Sequence, residues 1–509
     1  MERMKRIITG LFWLVFSGSM FLILGAALSR PLNNLIPGDM VWYTLVWILF
    51  FGVMWRVCCL LEKKMPGMPG ILKYGVPVYL LLLGAALYAV SCLLRCGLFS
   101  DYESIYTAAR QFAAGEEVTN WEYFARWYNN VGSMLGLSLL FFLGGWLPAQ
   151  VDVYYFVLFL NVVQVILVVY CLYALAGKLF YRHPVAAPLM ILGISTVWIP
   201  VWANTSIFYS DQQSFGAGVF GVTLLIKSWE CRKRDTPLKK KKLWLFYAVA
   251  AGICFGWGAI LKVTSATVLI ALVIGCFLYR ILWEHKRELS VAVISCMMVM
   301  VLFSVYCRTL PYQEDAGRLK VPAGYWFALG LKGNGTYAES EEFAIRCLAA
   351  ENVEERQLII QEQIRREIHN LWNPEHLLAK ARQNFGCGDL GAAGYLLFPY
   401  HENILWHWFS MDGDYYWKYA CLSTAFFFSV LFYLGAGSFL QFLKRGRDGE
   451  GGEAEEAAFF IAALAFFGLC LFLMLWEAQD KQMYNHSGWL IFALLCSLNL
   501  TDRKRGSQK

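Results

Sequence analysis

The chain has 509 residues, 58% hydrophobic and 16% charged, with a formal net charge of +7. Its mean hydropathy of +0.47 lies far above that of a soluble domain, and the charges cluster between apolar runs of near-spanning length. These features exclude an ordinary soluble domain and describe a polytopic integral membrane protein whose basic residues mark topology and not nucleic-acid binding.

Residues 1–75 read as an N-terminal transmembrane hairpin and a cytoplasmic loop. The apolar run from Ile7 is about a full span and has no small-residue cleavage site, which makes it a retained helix and not a signal peptide. Lys5 and Arg6 precede the first span, and Glu62, Lys63 and Lys64 follow the second, so both flanks are expected in the cytoplasm. A third span, roughly 76–99, then delivers Asp101 to the extracytoplasmic side. Asp101 stands at the head of the amphipathic loop FSDYESIYTAARQFAAGEEVTNWEYFARWYNN, residues 99–130 of a core region assigned to 76–307.

Downstream, Arg232, Lys233, Arg234 and Lys239 to Lys242 mark a cytoplasmic loop. An odd number of crossings is required between Asn130 and Trp229, yet apolar segments lie at 131–147, 153–177, 185–203 and 213–228. One of them must be re-entrant or interfacial, or two must be short, and the 185–203 segment, with Pro184, Pro188 and Pro200, is the leading candidate not to cross. Counting outward from the same basic loop puts Asp211 in FYSDQQS and the short turn at Lys262 on the external face, and WEHKRE at Trp283–Glu288 in the cytoplasm. The polar stretch 308–415 is too long for a simple connection and reads as an ordered extracytoplasmic domain of mixed structure. Residues 416–509 complete the bundle. There Lys444, Arg445 and Arg447 and the flexible tract GEGGEAEE lie inside, EAQDKQMYNH outside, and Arg503, Lys504 and Arg505 in a basic cytoplasmic tail. The expected fold class is thus an all-α transmembrane bundle of about twelve crossings with one external loop domain.

The 15 cysteines show no zinc-like or redox spacing, and Cys58 and Cys59 are adjacent inside an apolar run. They read as buried thiols. Only Cys347 and Cys387 fall in the large polar loop, where a bridge could form outside. LKGNGTY has glycines without a strand-loop-helix context, so nothing points to ATP-driven chemistry.

The functional reading rests on convergence of separated positions on the outer face. Asp101 and Glu103 follow the third span, Asp211 follows FYS, Lys262 occupies a hairpin turn, Tyr325 to Lys332 lies in the large loop, and Glu477 to Lys481 caps the last hairpin. Charged groups near the hydrocarbon boundary are costly unless paired or solvated, so several on one side imply a polar cavity. Each also has a structural reading. Asp101 and Asp211 could cap helices, the lysines could snorkel, and Tyr123, Trp127 and Tyr128 could form an interface belt.

The motif order resembles the GT-C superfamily of polyprenyl-phosphate-sugar-dependent glycosyltransferases, in particular its bacterial branch related to protein mannosyltransferases and aminoarabinose transferases. SDYESIYTAARQFAAGE resembles the superfamily's first external loop, in which an acidic residue serves in catalysis. RWYNNVG is similar to an arginine-proline-asparagine-asparagine pattern, with Tyr128 where proline is usual and with Asn129 and Asn130 matching. FYSDQQS resembles an external turn ending in an acidic residue, and LKVTSATVLIA the lysine turn. YWFALGLKGNGTY is similar to a histidine-tryptophan loop motif, with Tyr325 replacing histidine beside Trp326. EAQDKQMY looks like a glutamate-to-arginine-tyrosine motif that keeps Glu477 and has Lys481 for arginine. Two helices before Asp101 depart from the superfamily's usual start.

The resemblance implies transfer of a sugar from a polyprenyl-phosphate carrier to an extracytoplasmic acceptor by a multi-pass protein of a bacterial plasma membrane. A sugar on polyprenyl phosphate leaves with an already anionic group, which needs cations and no general acid. Lys262, Lys481, Lys332 and Arg308 are the candidates for that cationic cradle. Asp101 is the expected general base in an inverting displacement, with Asp211 and Glu103 as further catalytic candidates. Tyr325, Trp326, Asn129, Asn130 and Glu477 are the substrate-binding candidates. Asp101 and Glu103 could instead hold a divalent cation, although two ligands two positions apart are a weak metal signature. The rival classes are a transporter or flippase of a lipid-linked glycan and a glycan polymerase or ligase. Inverted repeats and mid-membrane ionisable groups would mark a transporter, whereas the acidic groups here sit at the outer edge.

Overall fold

The computed structural model describes residues 2–32, 35–65, 67–146, 152–232, 243–444 and 453–506. The basic residues 233–242 and 445–447 and the first half of the tract GEGGEAEE, 449–452, lie outside that set, as do the side chains of the basic tail, whereas Glu453, Glu455 and Glu456, expected in a flexible tract, form the first turn of a helix. In chain order the principal helices begin with α1 (Glu2–Ser29), α2 (Pro37–Lys64), α3 (Met68–Leu93), α4 (Ser100–Ala114), α5 (Trp121–Arg126), α6 (Val131–Gly144) and α7 (Val153–Leu179). They continue with α8 (Ala186–Val197), α9 (Ile199–Asn204), α10 (Ser210–Ser214), α11 (Ala217–Arg232), α12 (Trp244–Leu261), α13 (Ala266–Leu278) and α14 (Lys286–Cys307). The last are α15 (Val353–Glu367), α16 (Pro374–Phe385), α17 (Tyr416–Leu443), α18 (Glu453–Leu475) and α19 (Ser487–Gly506). Among the described residues no strand forms, and the only strand-like pairing is an isolated bridge between Cys96 and Pro399.

Eight of the described helices, α1, α2, α3, α7, α12, α14, α17 and α18, are long and apolar enough to cross a membrane. Their burial separates rim from centre. The most apolar stretch of α14 is 17% buried, whereas that of α17 is 67% buried. Leu22, Leu49, Leu81 and Val301 stand exposed on the rim helices, an arrangement stable only against lipid. The chain is a helical membrane protein. Where α12 meets α14, small residues set the spacing: a Cβ on Gly252 would lie 2.3 Å from the Ala292 carbonyl oxygen, and one on Gly256 3.0 Å from that of Cys296.

Contacts between remote residues define two ends of the bundle. Arg95 pairs with Asp152 at 2.6 Å, and the Tyr102 hydroxyl donates to that of Tyr154 at 2.9 Å, so α7 starts at the end where Asp101 lies. It finishes at the opposite, basic end, where His183 meets Glu62 at 3.1 Å and Lys178 meets Glu230 at 2.9 Å. Both ends of α6 therefore belong to the Asp101 end. It packs beside α4, Phe141 touches Tyr106 with ring centroids 4.9 Å apart, and a Cβ on Gly144 would meet Val153. The segment that fails to traverse the bundle is α6, and not 185–203 as its prolines had implied. That segment breaks at Trp198 into α8 and α9 but keeps going, because Pro200 occupies the first turn of α9, where proline is tolerated.

The loop region 308–415 is helical where mixed structure was expected. Its Glu-, Gln-, Arg- and Leu-rich stretches favour helix, and asparagine caps start them: the side chain of Asn352 accepts from the Glu355 amide, and that of Asn373 from the Glu375 amide. A small core of Val321, Tyr325, Leu329, Phe343, Cys347 and Ile360 holds it together. Cys347 and Cys387 are both buried and unbridged.

Lys380 on α16 is fully buried, and its ammonium donates to the Gly330 carbonyl at 2.7 Å, while His376 one turn earlier contacts the Gly333 carbonyl at 2.7 Å. Burial, only partly offset by Glu477, pushes the Lys380 pKa down from 10.5 to about 7. Between these values the unfolded chain binds more protons than the folded one, so this lysine makes stability rise with pH from about 7 to about 10.5. Thermal unfolding across that range should show the rise in the parent protein and a flatter profile in Lys380→Met. Identical slopes would place the lysine's titration elsewhere.

Candidate functional site

At the Asp101 end a cavity of about 390 Å³ opens between the bundle and the loop region. Its walls come from four stretches remote in sequence: 99–102, Tyr209, residues between Gln383 and Tyr416, and the Asp480–Lys481 pair, with Leu32 at the edge. The charged side chains of the lining are Asp101, Asp389, Asp480 and Lys481, and Tyr102, Tyr209, Tyr395, Tyr416 and Phe99 supply ring surface.

Backbone strain marks the same place. Among the described residues two non-glycine side chains sit at left-handed φ, Ser100 at 49° and Leu390 at 55°. Each immediately adjoins a cavity carboxylate, Asp101 in the first case and Asp389 in the second. Such conformations cost roughly 1–3 kcal/mol and persist where the surroundings over-determine them, characteristically at sites. Gly391 follows at φ 77°, and a Cβ there would lie 2.5 Å from the Cβ of Lys481, so the absent side chain lets the Asp389 loop reach the last hairpin.

Asp101 is exposed to the cavity in the first turn of α4. The N-cap of that helix is Phe99, without a side-chain bond, so Asp101 is not the capping residue and favours the helix only through its dipole. The Tyr123 hydroxyl lies within electrostatic reach of Asp101 and accepts from the Asn130 amide at 2.5 Å, and the Asn129 amide donates to the Asn130 side-chain oxygen at 3.1 Å. The RWYNN stretch thus fixes the tyrosine that stands beside the carboxylate.

Tyr209 sits between two lysines. Lys481 Nζ lies 5.5 Å from its ring centroid and 5.8 Å from that of Tyr395, while Lys262 Nζ approaches Tyr209 at 5.9 Å. Lys262 is also paired with the fully buried Asp211 at 3.2 Å. Its turn is clamped to the last hairpin by Asn485, which donates to Thr264 at 3.2 Å, and by His486 at 2.7 Å from Thr267. Burial opposes the charge of Lys481, but Tyr209, Asp211, Glu477 and Asp101 outweigh it and hold the group above its ordinary value. Burial, with the charge of Asp389 next, pushes Asp480 up to about 7. Glu477 is also raised by burial, against the pull of Lys481.

Of the residues expected from sequence, Asp101 and Lys481 meet at the cavity, Lys262, Asp211 and Glu477 surround it within mutual electrostatic reach, and Asn129 and Asn130 act through Tyr123. Glu103 is exposed but outside the lining, and Arg308 is exposed at the end of α14. Lys332 lies in the loop that His376 and Lys380 clamp, also outside the lining. Tyr325 is buried against Trp127, Trp326 and Phe343 and supports the loop core. Among the described residues no three His, Cys, Asp or Glu side chains come together in a metal-holding group, and Glu103 does not join Asp101 at the cavity.

Asp389, Asp480, Tyr209 and Tyr395 were not singled out from sequence. Asp480 was hidden in plain view beside Lys481. The one local signal for Asp389 is the glycine-rich DLGAAG run, whose turn the positive φ values now explain. No family model, curated protein or solved structure matches the chain.

Proposed function

We propose that this protein is a membrane glycosyltransferase of the GT-C kind, which transfers a sugar from a polyprenyl-phosphate carrier to an acceptor on the extracytoplasmic side. The observation that carries this reading is one cavity, at the end of a membrane bundle, whose lining brings the Asp101 carboxylate together with an ammonium held on two tyrosine rings. In this reading the acceptor oxygen attacks the anomeric carbon as its proton passes to Asp101. The bond from that carbon to the phosphate oxygen breaks, the anomeric centre inverts, and polyprenyl phosphate departs toward Lys481. Lys262 is already paired with Asp211. Its part is to hold Tyr209, leaving Lys481 as the main phosphate ligand.

About twelve crossings follow if α8 with α9, α11, α13 and α19 join the eight long helices and α6 lies along the outer boundary. The cavity is then external under the positive-inside rule. A cysteine introduced at Glu339 should react with an impermeant reagent in intact cells. Reaction only after the membrane is opened would reverse the orientation.

The deciding experiment reconstitutes the full chain in vesicles with a labelled polyprenyl-phosphate sugar. Lys481→Gln should weaken polyprenyl phosphate binding strongly and Lys481→Arg mildly, because the second keeps the charge. Equal binding by all three proteins removes Lys481 from the site. Movement of intact donor between leaflets, without cleavage of the sugar–phosphate bond, would make the protein a flippase.

A further inference from the structure

We infer that Asp389 and Asp480 form the acceptor wall of this cavity and select an uncharged saccharide, gripping its hydroxyls and turning away anionic sugars. The inference rests on the glycosyltransferase reading and adds the substrate class. Asp389 is 4% exposed, and its carboxylate is tightly held: Oδ1 accepts from the Gly391 amide at 3.0 Å, and Oδ2 from the Tyr416 hydroxyl at 3.2 Å and the Ala393 amide at 3.4 Å. The Asn204 amide donates to its backbone carbonyl at 3.4 Å, tying the loop to the turn that carries Tyr209 and Asp211. Three donors fix the orientation of this carboxylate.

Asp480 faces the opposite condition. Burial, with the charge of Asp389 next, pushes it up to about 7, so below that pH it presents both an O–H donor and an acceptor oxygen. An anion beside a carboxylic acid complements a run of sugar hydroxyls, each of which both donates and accepts. Tyr395 and Tyr416 add aromatic surface to the same lining.

The charge balance supplies the selection. Three carboxyl groups line the cavity against the single ammonium of Lys481, and in the proposed reaction that ammonium is committed to the donor phosphate. A carboxylate-bearing sugar entering beside Asp389 and Asp101 would meet two like charges with no cation left to answer it.

The test uses the full chain in detergent, with binding of methyl α-glucoside and methyl α-glucuronide followed by saturation-transfer NMR. The glucoside should bind with the glucuronide at least ~10-fold weaker, a gap of about 1.4 kcal/mol. Asp389→Asn removes the fixed charge and should close the gap to about twofold, whereas Asp480→Asn imitates the neutral acid and should keep it. The inference is overturned by equal binding of the two glycosides to the parent protein, by binding of neither, or by an unchanged preference in Asp389→Asn. The parent comparison decides even where a variant does not fold. A chain that binds polyprenyl phosphate yet accepts the glucuronide loses only the selection, while one that neither binds that lipid nor transfers sugar loses the enzymatic reading itself.

Discussion

Asp101→Asn should lower sugar transfer by ~100- to 10,000-fold in reconstituted vesicles, while the protein still inserts and still binds polyprenyl phosphate. The substitution keeps the shape of the side chain and removes its capacity to take a proton. The helix should barely notice, because Asp101 is not the N-cap of α4, and losing its dipole interaction costs about 0.3–1 kcal/mol. The Asn129–Asn130–Tyr123 hydrogen bonds do not involve the Asp101 side chain, so they survive the substitution. Initial rates with a labelled donor, beside lipid binding measured on the same preparation, separate lost chemistry from lost folding. Transfer near the parent rate would take the base away from Asp101. Asp389 would then be the next carboxyl to replace, since it shares the cavity while Asp480 is pushed up to about 7, Asp211 is bound to Lys262 and Glu103 lies outside the lining.

What hydropathy could reveal, and what it could not, divides along a physical line. The long apolar helices α1, α2, α3, α7, α12, α14, α17 and α18 announce themselves because each must match a bilayer by itself. Helix α6 is just as apolar in its sequence, yet it folds back along α4. Only remote contacts such as Arg95 with Asp152 distinguish a boundary helix from a crossing one. The proline argument failed for 185–203 because a proline that starts a new helix does not end the traverse.

Asp101, Asp211, Lys262 and Lys481 were legible for a related reason. Each flanks an apolar run, so the length of the run places it at one boundary. Asp389 sits far from any span, and its position depends on the fold of the loop region, on the left-handed Leu390 and Gly391 in particular. Arg308 and Lys332 were drawn to the site by charge, but Arg308 stays at the end of α14 and Lys332 in the turn after Gly330, both outside the lining. The loop was expected to be mixed because polarity and length say nothing of the asparagine caps that commit it to helix.

Lys262→Met should destabilise the folded protein by about 3–5 kcal/mol, the cost typical of removing one partner from a buried ion pair. The Asp211 side chain is 1% exposed and that of Lys262 18%, with 3.2 Å between the charged atoms. Asp211 Oδ1 has no hydrogen-bond partner among the described residues, so an unpaired carboxylate would stand in a dry wall. The reverse change, Asp211→Leu, leaves Lys262 near Lys481, whose like charge already weighs against it, and should cost a similar amount. The double variant Asp211→Leu with Lys262→Met removes both charges and should recover most of the loss, since replacing a buried pair by apolar groups is often close to neutral. Reversible unfolding in mixed micelles, read for the parent, both single variants and the double variant, gives the coupling directly. Single variants within about 1 kcal/mol of the parent would mean that water reaches the pair and that its strength is that of a surface contact. Strong coupling would show the pair to be a structural post. Transfer by a well-folded double variant would then report only the positioning of Tyr209 and, through its ring, of Lys481.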